Sequence, residues 1–98
     1  MLKEIIAYIW HLVEGPQSPE AVAKALDHRA SLRSDRLDWR NSIVDLLKLI
    51  DMDSSLLARK RLAKEAGYFG DNFTGTAQDN VWLHGEVMKA IGQGKMGA

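Results

Sequence analysis

The 98-residue sequence contains no cysteine and only two prolines. Without thiols it can form neither a disulfide framework nor a thiolate metal site. Neither sign of charge is in excess. Thirteen lysines and arginines face thirteen aspartates and glutamates, which argues against a polyanion gathered by net charge. Long hydrophobic runs are missing too. Leu2 to Val13 is apolar but far short of the roughly twenty residues that cross a bilayer. Lys3 and Glu4 stand inside that stretch and no small-residue cleavage site follows, so neither a signal peptide nor a membrane span is expected. These absences point to a cytoplasmic protein. A chain this short buries only about two-thirds of its unfolded surface, so stability must come from helix packing or partly from self-association.

What is present reads as one small all-α domain. A hydrophobic share of 46% and a charged share of 27% are ordinary globular values and leave little room for wholesale disorder. Leu2, Ile5, Ile6, Ile9, Leu12 and Val13 recur at three- and four-residue steps, which predicts a first helix over 2–14 stopped by Gly15-Pro16. Ser18-Pro19-Glu20 offers a cap, a fitting first-turn proline and a negative charge at the positive helix end, giving a second helix over 18–29. Asp38 is read as the cap of a third helix over 38–50, with Trp39, Ile43, Leu46, Leu47 and Ile50 inward. A fourth helix over 54–66 is expected to bury Leu57, Leu62 and Ala66, and to end at Gly67 with Tyr68 and Phe69 folded back. Thr76, with Asp79 three residues on, opens a fifth helix over 76–91 that includes Val81, Leu83, Val87, Met88 and Ile91. A glycine-rich tail over 92–98 follows. Five helices this short suit orthogonal packing better than a long up-and-down bundle.

Three blocks of residues resemble a family signature. They are Leu37-Asp38-Trp39-Arg40-Asn41-Ser42-Ile43-Val44-Asp45-Leu46-Leu47-Lys48, then Asp53-Ser54-Ser55-Leu56 with Ala58-Arg59-Lys60, Leu62-Ala63-Lys64-Glu65 and Gly67-Tyr68, then Asn80-Val81-Trp82-Leu83-His84 with Val87-Met88. In that order and spacing the chain, from Pro19 to Ile91, resembles the bacterial domain of unknown function 3597 family. The first helix and the loop from Phe69 to Gln78 depart from the family pattern. The resemblance implies a helical domain of bacterial or phage origin, and carries no activity with it.

Chemistry-bearing constellations are thin. Asp51-Met52-Asp53-Ser54-Ser55 begins like a calcium loop, but Leu56 and Leu62 occupy the glycine and glutamate positions such a loop requires. His11, His28 and His84 are isolated, so no metal-ligand spacing appears, and His84 reads as a hydrogen-bonded structural group. Gly85 inside a helix costs about 1 kcal/mol against alanine, which suggests that another helix or an aromatic ring passes close to it. No catalytic, cofactor-binding or metal-binding residue is assigned. Two candidate surfaces remain. Ile6, Tyr8, Trp10 and Phe73 supply apolar area for a protein interface, including self-association. Arg29, Arg33, Arg36 and Arg40, spaced four, three and four apart, join Lys60, Arg61 and Lys64 as a possible anion or nucleic-acid contact. Asp27, Asp35 and Asp38 interleave with those arginines and favour a solvated, ion-paired face instead. The leading expectation is a non-enzymatic protein-interaction module. A nucleic-acid-binding domain comes second, and cell-wall-associated binding or hydrolysis third.

Overall fold

The computed structural model describes residues 1–13, 18–68 and 72–93. Over these residues the chain forms five helices and no strand: α1 (Leu2–Leu12), α2 (Pro19–Ser31), α3 (Ile43–Leu49), α4 (Leu56–Glu65) and α5 (Ala77–Ala90). It is a small all-α bundle. The expected stop at Gly15-Pro16, the fold-back of Phe69 and residues 94–98 of the tail lie outside the described residues.

Four of the five helices start on a hydroxyl cap. The side-chain oxygens of Ser18, Ser42, Ser55 and Thr76 accept the backbone N–H of Ala21, Asp45, Ala58 and Asp79, each at 3.1 to 3.2 Å. Each cap satisfies a donor that the first helical turn leaves free. Two of them differ from the sequence expectation. The third helix starts at Ser42 rather than Asp38, because Ser42 is extended (φ −124, ψ 120) and interrupts the turn that begins at Asp38. Ser55, not Ser54, caps α4, and the Asp53 carboxylate accepts the Ser55 N–H at 2.8 Å to shape the approach.

Spatial order differs from chain order. α1 packs on α2, α2 on α3, α3 on α5, and α5 on α4. The shared core is built from Ile5 and Ile9 of α1, Val22 and Leu26 of α2, and four residues of α3. Leu62 and Ala63 of α4, Leu83 and Val87 of α5, and Trp39, Ile50, Phe73 and Ile91 complete it. Seven-residue α3 could not hold itself together in water. It persists because Ile43, Leu46, Leu47 and Leu49 are all buried.

Two expectations about packing, those for Leu57 and Gly85, are corrected. Leu57 is 60% exposed, because α4 buries Ala58, Leu62 and Ala63 instead, about 100° around the helix. Val81 is 69% exposed, because α5 turns Leu83, His84 and Val87 inward. A Cβ placed on Gly85 would meet nothing within 4 Å among the described residues, so no described helix or ring passes against it.

Both α3 and α4 end with a residue in the left-handed region. At α4, Gly67 (φ 97) lets the Tyr68 N–H reach the Ala63 carbonyl at 2.8 Å and the Gly67 N–H reach Lys64 at 3.2 Å. At α3, Asp51 takes the same place with φ 56, the Met52 N–H reaching Leu47 at 2.9 Å and the Asp51 N–H reaching Lys48 at 3.1 Å. These are the paired reverse bonds that close a helix C-terminus.

Candidate interaction surfaces

The arginines of the expected basic row separate by task. Arg29 and Arg33 leave α2 and its following turn toward the end of α3. There the Arg29 Nε donates to the Leu49 carbonyl at 2.6 Å and its Nη2 to the Asp51 carboxylate at 2.7 Å. Arg33 donates through Nη1 to the Lys48 carbonyl at 3.1 Å and to Asp51 at 3.3 Å. Its remaining nitrogens fork onto Asp35 at 2.8 and 3.1 Å. That fork lifts the Arg33 pKa and lowers that of Asp35. The helix end is electrically negative, so a carboxylate at Asp51 would be repelled there without these two cations. The Arg29 guanidinium also lies 5.4 Å from the centre of the Tyr8 ring, so Tyr8 is occupied within the bundle.

Arg40 does different work. It forks onto Asp27 at 2.6 and 2.8 Å and lies over the Trp39 ring at 4.4 Å. The Trp39 indole N–H donates to the same carboxylate at 3.1 Å. Arg40 first, then Trp39, holds the Asp27 carboxyl below the usual aspartate range. From the other side, the ring Nε2 of buried His84 lies 2.8 Å from the Trp39 carbonyl. A neutral His84 must carry its proton on Nε2 to make that bond. Trp39 is thus 2% exposed although it precedes α3.

Arg36 stays exposed and lines an open cleft of about 640 Å³ with Arg33, Asp27, Asp35 and Asp38. Lys60, Arg61 and Lys64 stand exposed on α4. The three arginines at 29, 33 and 40 therefore do not form a continuous row facing solvent.

A second polar centre sits at the start of α5. Asp79 accepts the Tyr68 hydroxyl at 2.7 Å and the Thr74 N–H at 2.8 Å, and these donors bring its pKa down to about 2. The same bond raises the Tyr68 pKa. Tyr68 also meets Phe73 and Trp82 edge-on, at centroid distances of 5.4 and 4.9 Å.

No group of three or more His, Cys, Asp or Glu among the described residues could hold a metal ion. None of the described helices is long and apolar enough to cross a membrane. Residues 11–96 match the family described as Domain of unknown function (DUF3597). The chain belongs to this family. No curated protein and no solved structure matched it.

In this DUF3597 chain the four apolar candidates come apart. Phe73, expected at an exposed loop tip, is 3% exposed and belongs to the core, drawn in by its edge contact with Tyr68. Ile6 is half-buried, and Trp10, one turn later on the same side of α1, is 41% exposed. Tyr8 points about 160° away from Trp10, so these residues do not form one patch. The surface that sequence reasoning missed lies where the start of α1 meets the start of α4. Met1, Met52, Leu57 and Ala58 line a cleft of about 320 Å³, with Glu4, Asp53 and Arg61 beside them. The signal was present in the adjacent leucines at 56 and 57. Once Ala58, Leu62 and Ala63 set the inward phase, Leu57 must turn out.

Proposed function

We propose that this DUF3597 chain is a non-enzymatic binding module that contacts another protein chain through the cleft between α1 and α4. The observation that carries the reading is Leu57, 60% exposed beside an apolar cleft with a charged rim. A large apolar side chain kept in water next to an unfilled apolar recess is costly to a monomer and useful to a complex. Polar groups elsewhere in the bundle are already committed to the fold: His84 to Trp39, Asp27 to Arg40, and Asp79 to Tyr68. Arg29, Arg33 and Arg40 spend their donors on carboxylates and helix-end carbonyls, which favours this reading over a phosphate-facing patch.

Affinity capture with the wild-type chain and with L57E tests the proposal, with W10A alongside. A partner retained by wild type and W10A but lost by L57E is the expected result. Retention by L57E and loss by W10A would move the surface to the exposed side of α1. A titration with duplex DNA at two salt concentrations checks the competing reading. Binding that weakens steeply with salt would favour phosphate contacts through Arg36, Lys60 and Arg61.

A further inference from the structure

We infer that α1 is a detachable helix: it fills, within its own chain, a groove on the α2–α5 body that accepts an amphipathic helix from another protein. The inference concerns the buried side of α1 and does not rest on the α1–α4 cleft.

Three observations lead to it. First, α2 to α5 are joined to one another by polar contacts, and α1 is nearly free of them. Arg29 and Arg33 tie α2 and its following turn to the end of α3. The Trp39 indole donates to Asp27 of α2, and the Trp39 carbonyl meets the His84 ring of α5. Arg59 of α4 donates to Asn80 of α5 at 2.7 Å. Gln93, just past α5, donates to the Pro19 carbonyl at 2.6 Å and so returns to the start of α2. Among the described residues, α1 is hydrogen-bonded to this body at its beginning alone. There the Met1 ammonium and the Leu2 N–H both reach the exposed Glu65 carboxylate, at 3.0 and 3.2 Å. Tyr8 adds a ring contact with Arg29.

Second, α1 begins without a side-chain cap, whereas the other four helices each have one. A helix of 11 residues in that position holds its shape through its apolar face. Ile5 and Ile9, one turn apart, are fully buried, and α2 is the helix that α1 packs on.

Third, the family match begins at residue 11, so it takes in α2 to α5 and leaves nearly all of α1 outside. The break in kinship and the break in polar bonding fall at the same place. A body bonded within itself and apolar toward α1 offers a groove for a helix. Helix-in-groove recognition reads apolar anchors at i, i+3, i+4 and i+7. Leu2, Ile5, Ile6 and Ile9 stand at that spacing. The partner is therefore an amphipathic helix with aliphatic residues so spaced, and α1 competes with it from within the chain.

Two measurements on the whole 98-residue chain test the inference. Hydrogen exchange read by mass spectrometry on the wild type should show α1 amides exchanging at least about a hundredfold faster than those of α2 and α5, as expected of a unit that opens by itself. A fluorescein-labelled peptide of residues 1–13 should bind I9E, whose buried charge expels α1, about thirtyfold more tightly than wild type, whose own α1 occupies the groove. The same peptide carrying Ile5→Ser and Ile9→Ser should not bind, and circular dichroism should show that I9E keeps the helices of α2 to α5. Exchange of α1 in step with α2 and α5 overturns the inference, because α1 is then an integral part of one cooperative core. Loss of all helical signal in I9E overturns it for the same reason. A folded I9E that binds the peptide no better than wild type overturns it as well. Capture by L57E reads a different surface, so either proposal can fail without the other.

Discussion

The ends of α3 and α4 close the same backbone geometry by opposite means. At α4, Gly67 takes φ 97 at no steric cost, and a Cβ there would meet nothing within 4 Å. The turn is closed by its own two hydrogen bonds. At α3, an aspartate takes the left-handed place, which a side chain resists, and brings a negative charge to the negative end of the helix. Two arginines from the neighbouring helix and its following turn offset both costs, binding the Asp51 carboxylate and two of the last carbonyls together. One ending is closed by its own backbone, with no side chain from another helix on its carbonyls. The other is a joint that ties α2 to α3. A row of arginines at helical spacing can therefore serve as caps for another helix rather than as a surface for a ligand.

Replacing Arg29 should break this comparison most severely. R29M keeps the aliphatic stem but strips the Leu49 carbonyl and Asp51 of a charged donor and uncovers Tyr8. A loss of about 2 kcal/mol is expected in urea unfolding, within the range for hydrogen bonds to charged groups. A loss under about 0.5 kcal/mol, the usual scale for surface substitutions, would mean that the joint is only a surface ion pair. Next come the exchanges at the left-handed positions. G67A should cost about 1 kcal/mol through backbone strain alone. D51G should fall close to zero, because relief of strain offsets loss of the carboxylate, and its effect should depend on salt where that of G67A does not.

Gly85 extends the contrast to a glycine that no turn requires. With open space around its missing Cβ, G85A should stabilise the chain by up to about 1 kcal/mol. A destabilisation would reveal a close neighbour at that face of α5. The mildest test concerns Asp79. Its folded pKa of about 2 lies below the ordinary 3.8. Its contribution is therefore complete above pH 4 and drains away as pH falls toward 2. Carboxyl NMR titration should show that value moving up in Y68F, whose lost hydroxyl is the largest cause of the shift.

Much of the fold was legible from local signals. Ser18 and Thr76 act as caps, and the apolar phases of the first and third helices carry through to Ile5, Ile9, Leu46 and Leu47 in the core. Legibility failed where tertiary contacts outrank local pattern. Asp38 looked like a cap, yet Trp39 is held outside the helix by Asp27 on one side and His84 on the other, and Ser42 takes over. Phe73 lies in a turn-rich stretch that reads as surface, yet it is buried in the shared core with its ring against Tyr68. The arginine row was visible as a row. Its purpose was not, because the carbonyls it satisfies belong to residues 15 and 20 positions away. The α1–α4 cleft needed the true phase of α4, which small Ala58 and Ala63 set in place of larger Leu57.

The spatial order of the helices also bears on how the chain comes off a ribosome. α4 is synthesised directly after α3, yet its principal helical neighbour is α5. The inward side of α3 likewise waits for Leu83 and Val87, and Trp39 waits for the His84 ring 45 residues downstream. While α5 is still in the exit tunnel, the emerged segment therefore presents Leu46, Leu47 and Leu62 without their final covering. Nascent chains of this topology should remain open to proteases and to chaperones that hold apolar segments until α5 emerges, and then close in one late step.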